Sequence, residues 1–394
     1  MKRILFYYDN FCGADAKGGT EVATFRIAKA LQESGECEVY HCFRRKSSGN
    51  KRGIYKDLLK LSKLSSSFKS ELAEYIRRNE IDVVVNMGRF FRHKLLNDAA
   101  KESGREIKLF FMHHFAPGSE MKKITFRSGL HLLKLNPLNP LYWLRSTVYP
   151  VFKLPRALRI KEAYRKVYEL SDKVILLSEG YEKNYCDFSG LKDTSKFVAI
   201  PNIFEIDFKE KCGADNIRHK RVLILSRMDE IQKRISLALK IWNRVEDMPE
   251  LKDWHLDIVG AGHNTDIVKR LIKKFNLRRV TYHGWQDPGN FLKKASILMS
   301  TSEYEGLPLS LLEAQAYGCV PIAYNSYASL QDIVTDGENG VIVDEFGNID
   351  NYVRKLRNLM VDEAHRESMI AKGLVKSTHF SSKKIADKWL RILT

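Results

Sequence analysis

The stretch ILMSTSEYEGLPLSLLEAQAYGCVPIAY, residues 297–324, contains the pattern that decides the fold. Its two apolar runs, 297–303 and 319–324, have the length and composition of buried strands. Between them, 308–317 has the length and the leucine and alanine content of a helix. Pro308 suits the first turn of that helix, where its missing N–H would have no partner anyway. The stretch therefore predicts a strand, a crossover helix and a second, parallel strand.

The same alternation of strand and helix extends in both directions from this stretch. The strands predicted in the first half are 2–8, 37–43, 81–88, 107–114 and 172–179. Those predicted in the second half are 221–227, 255–262, 279–285, 297–303, 319–324 and 339–344. The clearest helical patterns are 20–35, 233–247, 265–276, 308–317 and 349–361. This rhythm predicts an α/β protein with doubly wound parallel sheets.

One interruption of the rhythm indicates two domains. Residues 200–220 are polar after Pro201, as in a linker, and a chain of 394 residues is too long for one ordinary core. We expect two Rossmann-like domains, 1–203 and 204–380, facing a central cleft, because such sheets bind ligands beyond the carboxyl ends of their strands. The amphipathic tail, 381–394, is predicted to form a helix that either completes the first domain or caps the second.

The net charge of +18 is concentrated in two stretches of the first half. Residues 44–69 contain nine Lys/Arg and one acid, and residues 121–166 contain eleven Lys/Arg and one acid. The second stretch interleaves its charges with aromatic and aliphatic residues, which favours an anionic membrane surface or an acidic, lipid-linked substrate. A solvated basic face is the simpler alternative. Nucleic-acid binding is not expected, since no nucleic-acid-binding signature accompanies the charge.

Cysteine usage and hydropathy indicate a cytoplasmic protein. The six cysteines include no Cys-x-x-Cys pair, so neither a disulfide framework nor a zinc site is expected. Cys37 and His41 would share one face of a strand, but packed side chains explain them better than a metal does. No apolar run is long enough for a transmembrane helix, and the N-terminus fits a first strand better than a signal peptide.

Three loops have the residues that a polyanion requires. Gly18 and Gly19 follow the first strand and open a helix, where backbone N–H groups can approach an anion. The loop 259–262 also contains two glycines, and each of these signals is weak alone. In the third loop, Arg227 ends a strand and Lys233 begins a helix, so that both could reach one anion, although surface salt bridges are the alternative.

Two acids in the opening stretch require partners. Glu305 lies in the loop before the predicted helix, and Glu313 lies on its second turn among leucines and alanines. A buried carboxylate without partners costs several kcal/mol. A cation, a helix N-terminus or the hydroxyl groups of a ligand such as a ribose could supply them.

The segment from Glu305 to Glu313 resembles the E-x7-E motif of family 4 of the nucleotide-sugar glycosyltransferases, which have the GT-B fold. Further similarities are found, in order, at 18–21, 200–202, 227–233, 256–262, 282–285 and 336–340. The resemblance covers essentially all of 221–345 but is patchy in the first half. One departure is Gly306-Leu307-Pro308, where the family usually has Gly-Phe-Gly, because Pro308 removes an N–H that could contact the donor.

The resemblance implies a role for each candidate residue. Glu305, and His114 or else His113, would act at the reacting centre, and Glu313 would bind the ribose. The other roles it implies are diphosphate binding by Arg227, Lys233 and Gly19, contacts with the donor sugar and phosphate by Gly306, Leu307 and Leu309, and base binding by His283 and Trp285.

The resemblance also implies an activity, namely retaining transfer of a hexosyl group from a nucleoside-diphosphate sugar, with UDP as the expected nucleotide. The acceptor would be a glycan or lipid-linked glycan of a surface polysaccharide, such as capsule or lipopolysaccharide, at the inner face of the cell membrane. No cofactor and no metal are expected, since the chain has no Asp-x-Asp motif. Two alternatives are an epimerase acting on nucleotide sugars and a non-catalytic basic protein that binds membrane or nucleic acid.

Overall fold

Two compact units make up the chain in the computed structural model. It describes residues 1–16, 18–45, 53–61, 65–122, 125–148, 151, 153–205 and 219–393. The first unit comprises Met1–Gly118, Pro155–Ile203 and Phe380–Thr394, and the second comprises Ser119–Leu154 and Phe204–His379. Both units are built on a parallel sheet, so the predicted pair of Rossmann-like α/β domains is confirmed.

The first unit has a seven-stranded parallel sheet with the order β3-β2-β1-β4-β5-β6-β7. Its strands are β1 (Lys2–Tyr7), β2 (Cys37–Phe43), β3 (Asp57–Lys60), β4 (Val83–Asn86), β5 (Lys108–His113), β6 (Lys173–Leu176) and β7 (Phe197–Ala199). Its described helices are α1 (Gly19–Glu33), α2 (Ser65–Arg78), α3 (Phe90–Glu102), α6 (Lys153–Leu170, which begins at the unit boundary), α7 (Tyr181–Ser189) and α16 (Ser382–Leu393). The central strands are mostly apolar and buried because helices cover both faces of such a sheet.

The second unit has a six-stranded parallel sheet with the order β10-β9-β8-β11-β12-β13. Its strands are β8 (Arg221–Leu225), β9 (His255–Val259), β10 (Val280–Gly284), β11 (Ile297–Ser300), β12 (Val320–Tyr324) and β13 (Val341–Val343). Its described helices are α4 (Phe126–Leu135), α5 (Pro140–Thr147), α8 (Glu230–Lys233), α9 (Ile235–Glu246), α10 (Thr265–Lys274), α11 (Gly289–Leu292), α12 (Leu309–Ala316), α13 (Leu330–Ile333), α14 (Ile349–Val361) and α15 (Glu363–Ser377). Strand β8 lies between β9 and β11, which brings the loops after these three strands to one edge of the sheet.

Residues 119–154 differ from the predicted domain 1–203, because they group with the second unit. The side chains of Leu132, Leu133 and Tyr142 are buried in the second unit's hydrophobic core. The apolar face of α4 and α5 therefore has its partner there, and the first domain is discontinuous in sequence. The C-terminal helix α16 lies in the first unit, where the buried Trp389 packs edge-on against Phe6 with 6.3 Å between ring centroids.

Each predicted apolar run contains an observed strand, whereas β3 and β7 were not predicted. Both are short strands at the edges of the first sheet, and β3 lies in the basic stretch 44–69. Residues 46–52 and 62–64 of that stretch lie outside the described residues, as do 206–218 of the predicted linker.

Four histidines of the first unit, His41, His93, His113 and His114, are buried, and the name buried histidines is used here for the three whose pKa is lowered, His41, His93 and His114. Burial lowers the pKa of His41 to about 4 and the pKa of His93 and of His114 to about 3. His41 accepts a hydrogen bond from the Cys12 backbone N–H (3.1 Å) and donates one to the Phe6 carbonyl (3.0 Å). Its ring is therefore held by backbone groups.

Candidate functional site

A buried ion pair is the centre of the candidate site in the second unit. Lys233 ends α8, and Glu305 lies in the loop between β11 and α12. The Lys233 Nζ lies 2.5 Å from the Glu305 Oε1, and the two side chains are only 14% and 8% exposed. The sequence predicted a functional role for both residues but did not predict that they pair with each other.

Gln232 connects this pair to Arg227. Its amide nitrogen donates to the Glu305 Oε2 (3.0 Å) and to the Tyr304 carbonyl (3.2 Å), and its amide oxygen accepts from the Arg227 Nη2 (3.0 Å). Two cations and one carboxylate thus form a single hydrogen-bonded network at the carboxyl ends of β8 and β11. Sequence reasoning missed Gln232, because an uncharged amide between Arg227 and Lys233 gives little signal of its own.

Hydrogen bonds fix the two loops that carry this network. Asp229 caps α8 by accepting a hydrogen bond from the Gln232 N–H (3.3 Å). Arg234 ends α8 in the left-handed conformation (φ 52°), and its Nε donates to the Glu303 Oε2 (2.7 Å). The Glu303 N–H in turn donates to the Gln232 carbonyl (2.7 Å). The loops after β8 and β11 are therefore fixed to one another, and with them the positions of the network residues.

Glycines in the loop after β9 allow close backbone packing. Gly260 has a φ of +133°, and a Cβ at that position would lie 1.8 Å from the Ser226 carbonyl oxygen. A Cβ on Gly262 would lie 2.6 Å from the Met228 carbonyl oxygen. Both glycines are therefore required by the approach of the β9 loop to the loop containing Arg227, whatever ligand these loops contact.

The segment before α12 also lies near the network. Gly306 and Leu307 follow Glu305, Pro308 is the N-cap residue of α12, and Leu309 begins the helix. Glu313 lies on the second turn and is half-buried, whereas the neighbouring leucines and alanines are fully buried. Glu313 is thus the charged position on a largely apolar helix, as the sequence indicated.

The two residues predicted to bind a base lie at the end of edge strand β10. The His283 Nε2 bonds to the Asp257 Oδ1 (2.8 Å), and its ring packs on Phe291 with 4.6 Å between centroids. Trp285, just after the strand, is 78% exposed. The His283 side chain is therefore engaged within the protein, while the indole of Trp285 and the backbone beside it are accessible.

The first unit contains the remaining candidates, Gly19 and the two histidines after β5. His113 is buried among aromatic rings, and its Nε2 forms a hydrogen bond with the Tyr164 hydroxyl (3.3 Å). His114 follows the strand, and neither of its ring nitrogens has a hydrogen-bond partner among the described residues. Gly19 is the first residue of α1, and a Cβ there would meet nothing within 4 Å. His114 is thus the histidine with two buried ring nitrogens that have no hydrogen-bond partner among the described residues.

The described residues contain neither a candidate metal cluster nor a candidate membrane span. Across the ranges described, no group of three or more His, Cys, Asp or Glu side chains could hold a metal ion. Among the helices formed by those same ranges, none is long and apolar enough to cross a bilayer.

Most of the second unit is similar to a known protein family. Residues 209–375 match the profile of the family described as glycosyl transferases group 1. The poly(glycerol-phosphate) alpha-glucosyltransferase of Bacillus subtilis is 26% identical over 59% of this chain and 34% of that protein. The amylovoran biosynthesis glycosyltransferase AmsD of Erwinia amylovora is 26% identical over 57% of this chain and 63% of that protein. The matched region thus spans about a third of the length of the Bacillus subtilis protein and somewhat under two thirds of the length of AmsD.

Structural similarity extends over the whole chain. The crystal structure of Anabaena Alr3699/HepE in complex with UDP superimposes with a TM-score of 0.71 over 100% of this chain and 99% of that one, at 16% identity. The predicted GT-B fold is therefore confirmed. The part of the second unit that matches the glycosyl transferases group 1 family model includes Arg227, Lys233, Glu305 and Glu313.

Proposed function

We propose that this chain is a retaining hexosyltransferase that moves a sugar from a UDP-sugar to a glycan or lipid-linked acceptor of a surface polysaccharide. The observation that carries the proposal is the network of Arg227, Gln232, Lys233 and Glu305 at the carboxyl edge of the second sheet. In a sheet of this kind that edge is where ligands bind. The family match and the network lie in the same part of the chain.

The network fits the charge changes of glycosyl transfer. When the bond between sugar and diphosphate breaks, negative charge grows on the diphosphate and positive charge on the sugar. Arg227 and Lys233 are held in place to stabilise the first, and removing one such preorganised group typically slows turnover about 10²- to 10³-fold. Glu305 pairs with Lys233 in the structure. A bound diphosphate would replace it as the partner of Lys233 and leave Glu305 beside the sugar.

The other candidates would bind the nucleoside and the sugar. Glu313 would accept hydrogen bonds from the ribose hydroxyls, and Gly306, Leu307 and Leu309 would contact the sugar and phosphate through the chain that leads into α12. Trp285 offers an exposed aromatic face on which a base can stack. Since the His283 side chain bonds to Asp257, its contribution to base binding would come from backbone groups.

His114 would act in the first unit as a neutral ring. Because its pKa is lowered to about 3, it carries no charge at neutral pH and could hydrogen-bond to the transferred sugar. We find no dedicated base for the acceptor hydroxyl among the assigned residues, and the proposal gives that proton to the departing diphosphate. The two cations supply the charge that a metal would supply, so turnover is expected to persist in EDTA.

The named relatives support the acceptor class. One is named for glucosylation of poly(glycerol-phosphate) and one for synthesis of amylovoran. An anionic acceptor suits a chain with a net charge of +18, and work on a lipid-linked acceptor would place the enzyme at the inner face of the cell membrane.

Turnover with a panel of nucleotide sugars tests the proposal. Glu313→Ala should lower kcat/KM at least about tenfold, through weaker donor binding, given that a hydrogen bond to a charged group is worth about 1.5–3 kcal/mol. Glu367→Ala changes an exposed glutamate on α15 and serves as the control. Wild-type activity in both variants would contradict the assignment of Glu313.

Omitting the acceptor separates the alternatives. An epimerase would convert the donor sugar without acceptor, whereas a transferase would at most hydrolyse it slowly. A non-catalytic basic protein would turn over none of the panel and would show salt-sensitive binding that is unaffected by a change at Glu305.

A further inference from the structure

Helices α4 and α5 form a hairpin, residues 125–148, that is well defined by its local sequence. Thr125 and Ser128 form a capping box at the start of α4, and the Asn139 side chain caps α5 by accepting from the Leu141 N–H (3.0 Å). A Cβ on Gly129 would lie 2.5 Å from the Ser146 Cα, so the glycine lets the two helices pack closely. We call this element the α4–α5 hairpin.

The inner face of the α4–α5 hairpin is fixed to the second unit. Besides the leucines in the core, Tyr142 accepts a hydrogen bond from the Asn264 Nδ2 (2.7 Å), and the His131 Nε2 bonds to the buried Glu230 (2.9 Å). The Asn264 Oδ1 accepts from the Glu230 N–H (2.8 Å). Glu230 is the first residue of α8, the helix that ends at Lys233. The hairpin is therefore a rigid part of this unit, and it contacts the helix that carries a candidate site residue.

The outer face of the hairpin is apolar and exposed. Leu138, Leu141, Trp143 and Leu144 are 84%, 65%, 56% and 47% exposed. Of the fifteen large apolar side chains that are exposed in the described part of the chain, seven lie within 138–154. Soluble monomers rarely concentrate exposed apolar side chains in this way, and such a patch usually marks an interaction site.

Polar groups on this face are satisfied within the hairpin. The Trp143 Nε1 donates to the Pro137 carbonyl (2.9 Å). The hydroxyl group of Thr147 donates to the Trp143 carbonyl (3.0 Å). These donors can therefore leave water without losing a partner, and an unpaired donor is what makes entry of a polar group into a lipid phase costly.

The charge of the segment selects the partner. Residues 119–154 contain six Lys/Arg and one acid, a net charge of +5, and Lys134 at the end of α4 is exposed. Exposed leucine and tryptophan side chains flanked by cations suit the interface of an anionic bilayer. A soluble polyanion would use the cations alone and would leave the apolar side chains in water.

We propose that the outer face of the α4–α5 hairpin docks into the headgroup region of an anionic lipid bilayer through Leu138, Leu141, Trp143 and Leu144. The hairpin then holds the second unit at the membrane surface while its inner face contacts α8, the helix that ends at Lys233. This surface is separate from the residues of the transfer site, so membrane docking and sugar transfer can be tested independently.

Vesicle binding by the full-length chain tests the proposal. Vesicles of phosphatidylcholine alone and vesicles that also contain phosphatidylglycerol are used with wild type, Leu141→Asn/Leu144→Asn and the control Val361→Asn/Val375→Asn, whose sites are exposed apolar residues of α14 and α15. All substitutions are uncharged, so electrostatic attraction is unchanged. Wild type and control should bind the phosphatidylglycerol vesicles, and the hairpin variant should bind at least about tenfold more weakly, since two leucines stay in water.

The position of Trp143 gives a second readout. In a Trp285→Phe background, which lacks the other exposed indole, brominated lipids should quench part of the tryptophan emission, and Trp143→Phe should remove that part, because the indoles of Trp242, Trp254 and Trp389 are buried. Equal vesicle binding by wild type and the hairpin variant, or equal quenching in Trp143→Phe, would overturn the proposal. The proposal would also be overturned if soluble polyphosphate replaced the vesicles as the binding partner. It would equally be overturned if the wild type formed a dimer in solution and the hairpin variant were monomeric.

Discussion

The pairing of Lys233 with Glu305 makes a quantitative prediction for stability. Both side chains are mostly buried and lie 2.5 Å apart, so removing either charge leaves the other without its partner. Breaking such a pair costs about 3–5 kcal/mol. Because Gln232 still donates to Glu305, and Lys233 retains some exposure, we expect about 2–3 kcal/mol for each of Lys233→Met and Glu305→Gln. The double variant has no charge left and should cost little more than either single one.

A double-mutant cycle in urea measures this coupling, with the unfolding of the second unit followed by the emission of its buried tryptophans. The expected coupling energy is about 2–3 kcal/mol, with the sign that makes the double variant better than additive. The matched control is the pair Arg357 and Glu250, which are 2.7 Å apart but 45% and 41% exposed. Exposed pairs typically couple by about 0.2–1 kcal/mol. Equal coupling in the two cycles would refute the view that burial makes the Lys233–Glu305 pair special.

Three further predictions concern catalysis, the backbone and pH. Arg227→Ala should lower kcat/KM for a UDP-sugar about 10²- to 10³-fold. The control Arg278→Ala, at an exposed arginine, should leave it unchanged. Equal kcat/KM values for the two variants would contradict a role for Arg227. Gly260→Ala should have a urea midpoint well below that of Gly337→Ala. Both glycines have positive φ (133° and 75°), but only a Cβ at Gly260 would clash, at 1.8 Å from the Ser226 carbonyl oxygen. Similar midpoints for the two variants would refute the clash. The buried histidines have folded pKa values below their unfolded value of 6.5, so the unfolded state binds more protons as pH falls from 6.5 and stability is lost. Each of the three histidines should reduce the free energy of unfolding by about 2 kcal/mol between pH 7 and pH 5, at 1.36 kcal/mol per pH unit. The stability of His114→Gln should therefore fall by about 2 kcal/mol less than that of wild type over this range. An identical fall in the two proteins would contradict the burial argument.

Much of the fold follows from local sequence. A parallel strand covered by helices on both faces is mostly apolar, and this is why residues 221–225 and 255–259 could be recognised as strands. The edge strands β3 and β7 lack this signal, since a strand at the edge of a sheet is short and partly exposed. The placement of 119–154 was not predictable, because the apolar face of a helix does not specify which of two cores it will join.

The candidate site shows the same division. Arg227, Lys233 and Glu305 were singled out because charged residues at strand ends are conspicuous. Their connection through Gln232 depends on contacts between loops more than seventy residues apart in sequence, which no local pattern encodes. The glycines after β9 looked like phosphate-binding residues, yet the close approach of Ser226 and Met228 is sufficient to require them.

Binding of UDP and of uridine to wild type and to Arg227→Ala/Lys233→Met, measured by calorimetry, tests the central claim most directly. The account predicts that wild type binds UDP much more tightly than uridine, because the two cations contact the diphosphate. In the double variant this difference should fall at least about tenfold, as expected when charged hydrogen bonds worth about 1.5–3 kcal/mol are lost. If the variant binds UDP as tightly as wild type does, or if wild type does not distinguish UDP from uridine, these residues do not form a diphosphate site.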